Sequence, residues 1–332
     1  MDGGTGAGCN EWKSALTMLP INAIRDPRKA TRLDRAKRAI ALLAQIKGAD
    51  LPDKSMRWDA WKTFHHEIMA AIDVDSLQQF QAEPRIATKI CGGGGETYIN
   101  RLRDRFGQSV LSFFLSTYRE TLCGDPPDLT CVEGCYITKT AMRTLYFMAA
   151  LHQVCKNYYS GPVDFVEVGG GFGNLARLIN QYSLARRYFI IDYPATLCIQ
   201  YFYVTEFVGE DNVALWNGRE YLTGSDNSKF CLVTPDAVDT LSAKLRRPAF
   251  LVSTLAMTEI PRPGQQYYLD QVSVDAVYIF GQTETTGVDQ GKHLKNYEGI
   301  SNAGLFHDLA KRCHVVQHTR GDYYTEFLGL TL

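Results

Sequence analysis

Through the first 160 residues apolar positions recur every three or four residues, and after Pro162 they condense into short continuous runs. Leu33, Ala36, Ile40, Leu43 and Ile46 share one face between Pro27 and Pro52, which predicts an amphipathic helix. The same spacing predicts helices over 58–72, 97–117 and 138–156. Beyond the turn-forming run Tyr159-Ser160-Gly161-Pro162, apolar runs at 164–168, 188–191, 213–216, 249–253 and 276–280 alternate with helical stretches, the pattern of a parallel sheet wrapped by helices. Two final runs, 314–319 and 323–329, are joined by Arg320-Gly321-Asp322, too short for a parallel crossover, so they predict an antiparallel hairpin. The expected fold class is therefore α/β: an all-helical N-terminal domain over 1–135, then a doubly wound, seven-stranded sheet with a terminal hairpin over 136–332.

Between the second and third predicted helices lies Gly92-Gly93-Gly94-Gly95; with no Lys-Ser/Thr after it, a hinge or lid is expected rather than a phosphate loop. The polar face of the first helix carries Arg28, Lys29, Arg32, Arg35, Lys37, Arg38 and Lys47 and reads as a solvated face.

Composition narrows the function classes. At 332 residues, 45% apolar and 21% charged, the chain suits a globular protein of two ordinary domains. Lys and Arg number 35 against 36 Asp and Glu, a net charge of -1, so nucleic acid is not an expected partner. No apolar run approaches the roughly 20 residues of a membrane helix, and the start lacks the basic and apolar regions of a signal peptide; the expectation is a cytoplasmic protein with no membrane partner. Nine scattered cysteines suit reduced thiols, and the cluster Cys123, Cys131, Cys135 lacks the C-x2-C pairs of structural zinc, so no metal is expected.

The segment that carries chemistry is Val166-Glu167-Val168-Gly169-Gly170-Gly171-Phe172-Gly173-Asn174, a strand ending in an acid and running through a glycine turn into a helix. Glycines there let the backbone approach a nucleoside and present amide hydrogens at the helix start. Gly171, Gly173 and Ala176 also satisfy the G-x-G-x-x-A pattern of dinucleotide sites, and Asp192, ending the next strand, suits the ribose of either ligand. Glu167 separates the two: a carboxylate at the turn suits the ammonium of S-adenosylmethionine (SAM), whereas a dinucleotide loop has no use for it.

The run VEVGGGFGNLARLI followed by YFIIDYPATLCIQYFYV resembles the sugar O-methyltransferases, class I SAM-dependent enzymes with a triple-glycine loop, then a strand ending Asp-x-Pro and an aromatic-rich helix. The stretches 137–151, with Arg143 and Tyr146, 251–261, with Glu259, and 278–280 are similar to the family's following landmarks, so the likeness spans roughly 136–332. It implies a Rossmann-like seven-stranded methyltransferase sheet. It also implies that Glu167, Gly169, Gly171 and Gly173 line the methionine part of SAM and Asp192 its ribose, with Trp216 and Asn217 beside the adenine and Thr254 and Leu255 at the sheet's ligand edge.

Methyl transfer to a hydroxyl needs alignment and a group to take the proton. Glu259, Glu284 and His293 fall beyond the carboxyl ends of the fourth and fifth predicted strands; Glu259 and His293 are the expected catalytic pair, and Tyr146 is expected beside the ligand. His65 and His66 read as core or interface residues. The expected activity is SAM-dependent O-methylation of a sugar or glycosylated small molecule. The alternatives are an O- or N-methyltransferase of secondary metabolism with a non-sugar acceptor, and a catalytically silent SAM-binding or dimerisation module. The helical segment would cap the acceptor pocket or form a homodimer interface.

Overall fold

The computed structural model describes residues 29–56, 59–92, 94–285, 300–320 and 324–332. Helices fill the first third: Lys29–Ile46, Asp59–Ala71, Val74–Gln78, Pro84–Ile90, Gly95–Phe106 and Gln108–Thr117. The predicted helix over 97–117 is two helices, because Gly107, at φ 90°, ends one and precedes the next. A small hairpin, β1 (Thr130–Val132) with β2 (Cys135–Ile137), leads into the long helix Lys139–Tyr158, so the segment before the sheet is not wholly helical.

The remaining strands are β3 (Val163–Val168), β4 (Ala185–Ile191), β5 (Val213–Trp216), β6 (Tyr221–Thr223), β7 (Phe230–Val233), β8 (Ala249–Thr254), β9 (Ala276–Gln282), β10 (Glu284–Thr285), β11 (Ile300–Ser301), β12 (Cys313–Arg320) and β13 (Tyr324–Thr331). Among the described residues β10 and β11 pair only with each other. The main sheet has nine strands in the order β12-β13-β9-β8-β3-β4-β7-β5-β6, two more than expected. Strands β9 to β5 in that order are mutually parallel, and antiparallel strands flank them on both sides. The insertion responsible is β6 and β7: β7 slots between β4 and β5 and pushes β5 outward.

Every residue of β3 is buried, as in a parallel strand covered on both faces. The chain leaves β3 toward β4 on one side and returns as β8 on the other, creating a switch point, and ligands bind beyond the carboxyl ends of strands at such a crevice.

The helical segment has no separate core. One apolar cluster runs from Ala36 and Leu43 of the first helix through Phe80, Ile99 and Phe114 to Phe165, Tyr188 and Leu328 of the sheet. Arg32 and Arg35 pair with Glu206, and Arg38 with Glu210, on and just after the helix Pro194–Val208. The basic face of the first helix is thus docked in part on the domain behind it, which corrects its reading as a solvated face. Among the described residues no helix is long and apolar enough to cross a membrane.

Candidate active site

At the switch point lies a cavity of about 550 Å³, within the range of small-molecule sites. Its floor is the glycine turn. Gly169 (φ 74°) and Gly171 (φ 54°) adopt left-handed conformations that glycine alone takes at little cost. A Cβ on Gly169 would stand 2.1 Å from that of Ala256, and one on Gly171 would stand 3.2 Å from the carbonyl oxygen of Ile90. Gly173 caps the helix Asn174–Gln181.

Glu167 and Asp192 border this turn, both in the cavity lining. The Tyr188 hydroxyl donates to Glu167 Oε2 at 2.9 Å; the Tyr193 amide and Gln200 Nε2 donate to the two oxygens of Asp192, each at 2.8 Å. Burial pushes both carboxyls up against those hydrogen bonds, Glu167 to about 8 and Asp192 to about 7, and the charge of Asp192 adds to the rise at Glu167. Two further buried oxygens, Gln200 Oε1 and Thr234 Oγ1, accept no hydrogen bond among the described residues. Buried acceptors without donors are costly, and a cationic, hydroxyl-rich ligand would relieve that cost.

The third wall follows β8. Ser253 Oγ donates to the Val168 carbonyl at 3.0 Å and accepts from the Met257 amide at 2.9 Å, tying the end of β3 to the turn Ala256–Glu259. Leu255 sits at φ 87° and ψ -49°, a strained conformation for a leucine, held by its amide's bond to the Phe280 carbonyl. Thr254, Leu255 and Glu259 all line the cavity. Trp61, from the helical segment, donates its indole N–H to Glu259 Oε2 at 2.9 Å.

Four sequence-predicted residues fall outside the lining: Gly173, at the start of the helix beyond the turn, and Trp216, Asn217 and Tyr146. Trp216 and Asn217 are not in the cavity lining, because β7 displaces β5 toward the sheet edge. The Trp216 indole donates to Thr240 Oγ1 at 2.9 Å under the Lys244 ammonium, and Asn217 Oδ1 accepts from the amides of Arg219 and Glu220. Pro235, just after β7, reaches the cavity in their place. Tyr146 is one residue off the helix face that carries Thr140, Arg143, Thr144 and Phe147 into the cavity. It belongs instead to a buried network: its hydroxyl donates to Glu326 Oε2 at 2.9 Å and accepts from Arg105 at 2.7 Å, with the Tyr278 hydroxyl on Glu326 Oε1. Tyr146→Phe should therefore lower stability by about 1–3 kcal/mol, the scale of a hydrogen bond to a charged group, and leave ligand affinity unchanged; paired thermal melts and binding titrations check this.

His293 lies outside the described residues, as does the side chain of Glu284. Sequence reasoning did not single out Trp61, Phe64 and 88–91, which the helical segment adds to the lining, nor Tyr193 and Tyr268. His65, held neutral by burial that lowers it to about 4, packs at a tilt against Tyr193 at 5.4 Å and ties that segment to the Asp192 loop. The glycine run is more than a hinge: Gly92 leaves the room that the Arg143 guanidinium fills, and Gly94, at φ 114°, precedes the helix Gly95–Phe106.

No family model matches the chain, and no curated protein matches it. Solved structures with a similar fold include magnesium protoporphyrin IX methyltransferase (ChlM) from Synechocystis PCC 6803 with bound S-adenosylhomocysteine (SAH), at 9% identity and TM-score 0.40 over 71% of this chain and 100% of that one. TrmK of M. capricolum with SAH is similar at 9% identity and TM-score 0.34, over 55% and 67%. The pyocyanin biosynthetic protein PhzM is similar at 12% identity and TM-score 0.36, over 58% of each chain.

Proposed function

We propose that the chain is a SAM-dependent O-methyltransferase acting on a hydroxyl of a small molecule, with the helical segment as the cap of its acceptor pocket. The observation that carries this reading is the pair of cavity carboxyls, buried Glu167 and half-buried Asp192, at a glycine turn over the switch point of the sheet. In this reading the Glu167 carboxylate takes the methionine ammonium and Asp192 the ribose hydroxyls, with Thr234 and Pro235 near the base. A pyrophosphate would meet two acids there, which disfavours a dinucleotide. SAM, when bound, supplies an electrophilic methyl group on a sulfonium. Glu259 accepts the proton of the acceptor hydroxyl, and Trp61 holds that carboxylate in place. Leu51, Met56, Trp61, Phe64 and Phe147 exclude water around it. A sugar or glycosylated acceptor is the finer reading that the sequence resemblance supports, and aromatic walls suit a sugar ring.

The pH dependence tests the reading. Both acids titrate in the folded protein above their unfolded values near 4, so the ligand-free fold holds extra protons between about pH 4 and 8 and loses stability as pH rises through that window. Ionised carboxylates favour a cationic ligand. Melting temperatures without ligand should thus fall from about pH 5 to 8 while the gain from SAM grows between about pH 6 and 7.5. Glu167→Gln should flatten both trends. A SAM-induced gain that shrinks as pH rises across that range would count against the role of these acids.

A further inference from the structure

The helix Lys139–Tyr158 brings a guanidinium into the cavity that has no partner there. Arg143 lines the cavity, its Nε is shut off from solvent without an acceptor, and it forms no hydrogen bond or ion pair among the described residues. The buried arginines Arg177 and Arg187 are paired with Glu120 and Asp164, and half-buried Arg105 with Glu326. A guanidinium keeps its charge in proteins, and on this half-buried side chain the enclosed Nε–H is left without an acceptor, a cost to the fold. The chain nonetheless makes room for it. At Gly92 any Cβ would fall 1.8 Å from Arg143 Nη1, so only a glycine there leaves the guanidinium its place.

The groups whose charge or dipole reaches Arg143 are Tyr98 and Cys91 of the helical segment, Tyr324 of β13, and Glu259 after β8. Arg143 and Glu259 thus line one cavity, and apolar surface from Trp61, Phe64 and Phe147 lies in the same lining.

We propose that Arg143 binds a carboxylate carried by the acceptor, so that the molecule methylated is a hydroxy acid whose apolar body rests on Trp61, Phe64 and Phe147. A planar guanidinium offers a carboxylate two parallel hydrogen bonds, which fixes orientation as well as affinity. The proposal rests on the methyltransferase reading. The same chemistry has a second source, the carboxylate of the methionine part of the cofactor, and the experiment separates the two.

Calorimetry on wild type and Arg143→Met, first with SAH alone and then with SAH saturating, titrates benzoate and glucuronate against the neutral benzamide and glucose. Arg143→Met should fold, since it replaces a half-buried side chain that makes no ion pair among the described residues with an apolar one, and a thermal melt checks that. The expected result is that an acid binds the SAH-loaded wild type, its neutral counterpart does not, and Arg143→Met loses about tenfold or more of the acid's affinity while SAH affinity moves less than about threefold. A loss of about tenfold in SAH affinity would assign Arg143 to the cofactor's own carboxylate and overturn the proposal. So would failure of both acids to bind the SAH-loaded wild type. If SAH does not bind wild type at all, the methyltransferase reading falls first, and the proposal with it.

Discussion

Glu259→Gln is expected to lower turnover by about 10²–10⁴ while SAM affinity stays near the wild-type value, the range for removing a general base. The structure gives the side chain few alternatives. β8 delivers the chain to the cavity at Thr254, the strained Leu255 reverses it, and the turn Ala256–Glu259 is locked by Thr258 Oγ1 on the Leu255 carbonyl at 2.7 Å and by Ser253 beneath. Glu259 ends buried in the cavity wall, 7% exposed, with the Trp61 indole on one oxygen. Gln keeps an oxygen for that indole and nearly the same volume, so the fold should persist while basicity is lost. A raised acceptor KM with kcat intact would make Glu259 an anchor for the hydroxyl instead of its base. If neither parameter changes, Glu259 takes no part in the reaction.

Gly169→Ala should cost about 2–5 kcal/mol, summed from a left-handed alanine and a core overlap. The backbone there is at φ 74°, and the new methyl would meet the Ala256 Cβ at 2.1 Å. Alanine has no flexible end to swing aside, so either the turn after β3 or the turn bearing Glu259 must move, and both line the ligand cavity. We expect weakened SAM binding and lost turnover together, with the melting temperature lowered. Chemical denaturation and a SAM titration on the same variant measure both, and wild-type values for each would mean that the turn yields without cost.

The buried parallel strands were legible because burial on both faces leaves continuous apolar runs: Val163–Val168 and Ala249–Thr254 were each placed within a residue. The inserted β7 is only four residues long, Phe230–Val233, and a run that short carries no periodicity to separate strand from core loop. The consequence falls at the site: the resemblance put Trp216 and Asn217 beside the adenine, whereas β7 moves β5 outward and the fold brings Pro235 to the cavity. On the helix before β3 the resemblance marked both Arg143 and Tyr146. Only the phase of that helix separates them, and the polar residues Thr140, Arg143 and Thr144 on a mostly buried helix were the signal for the cavity face. Arg32 and Arg35 meet Glu206 more than 170 residues along the chain, a pairing that no local charge pattern encodes. Glu167, Asp192 and Glu259, by contrast, were readable because each directly ends a strand or follows one by a few residues, at the edge where parallel sheets bind ligands.

The central claim, that the two cavity acids and the glycine turn select a cationic nucleoside over a dinucleotide, is tested most directly by calorimetry of the full chain with SAM and with NAD at about pH 7.5, near the upper end of the acids' titration. SAM should bind with a dissociation constant of about 100 μM or tighter, roughly 5.5 kcal/mol or more, and NAD should give no measurable heat. Binding of NAD at micromolar concentrations, with none of SAM, would contradict the account.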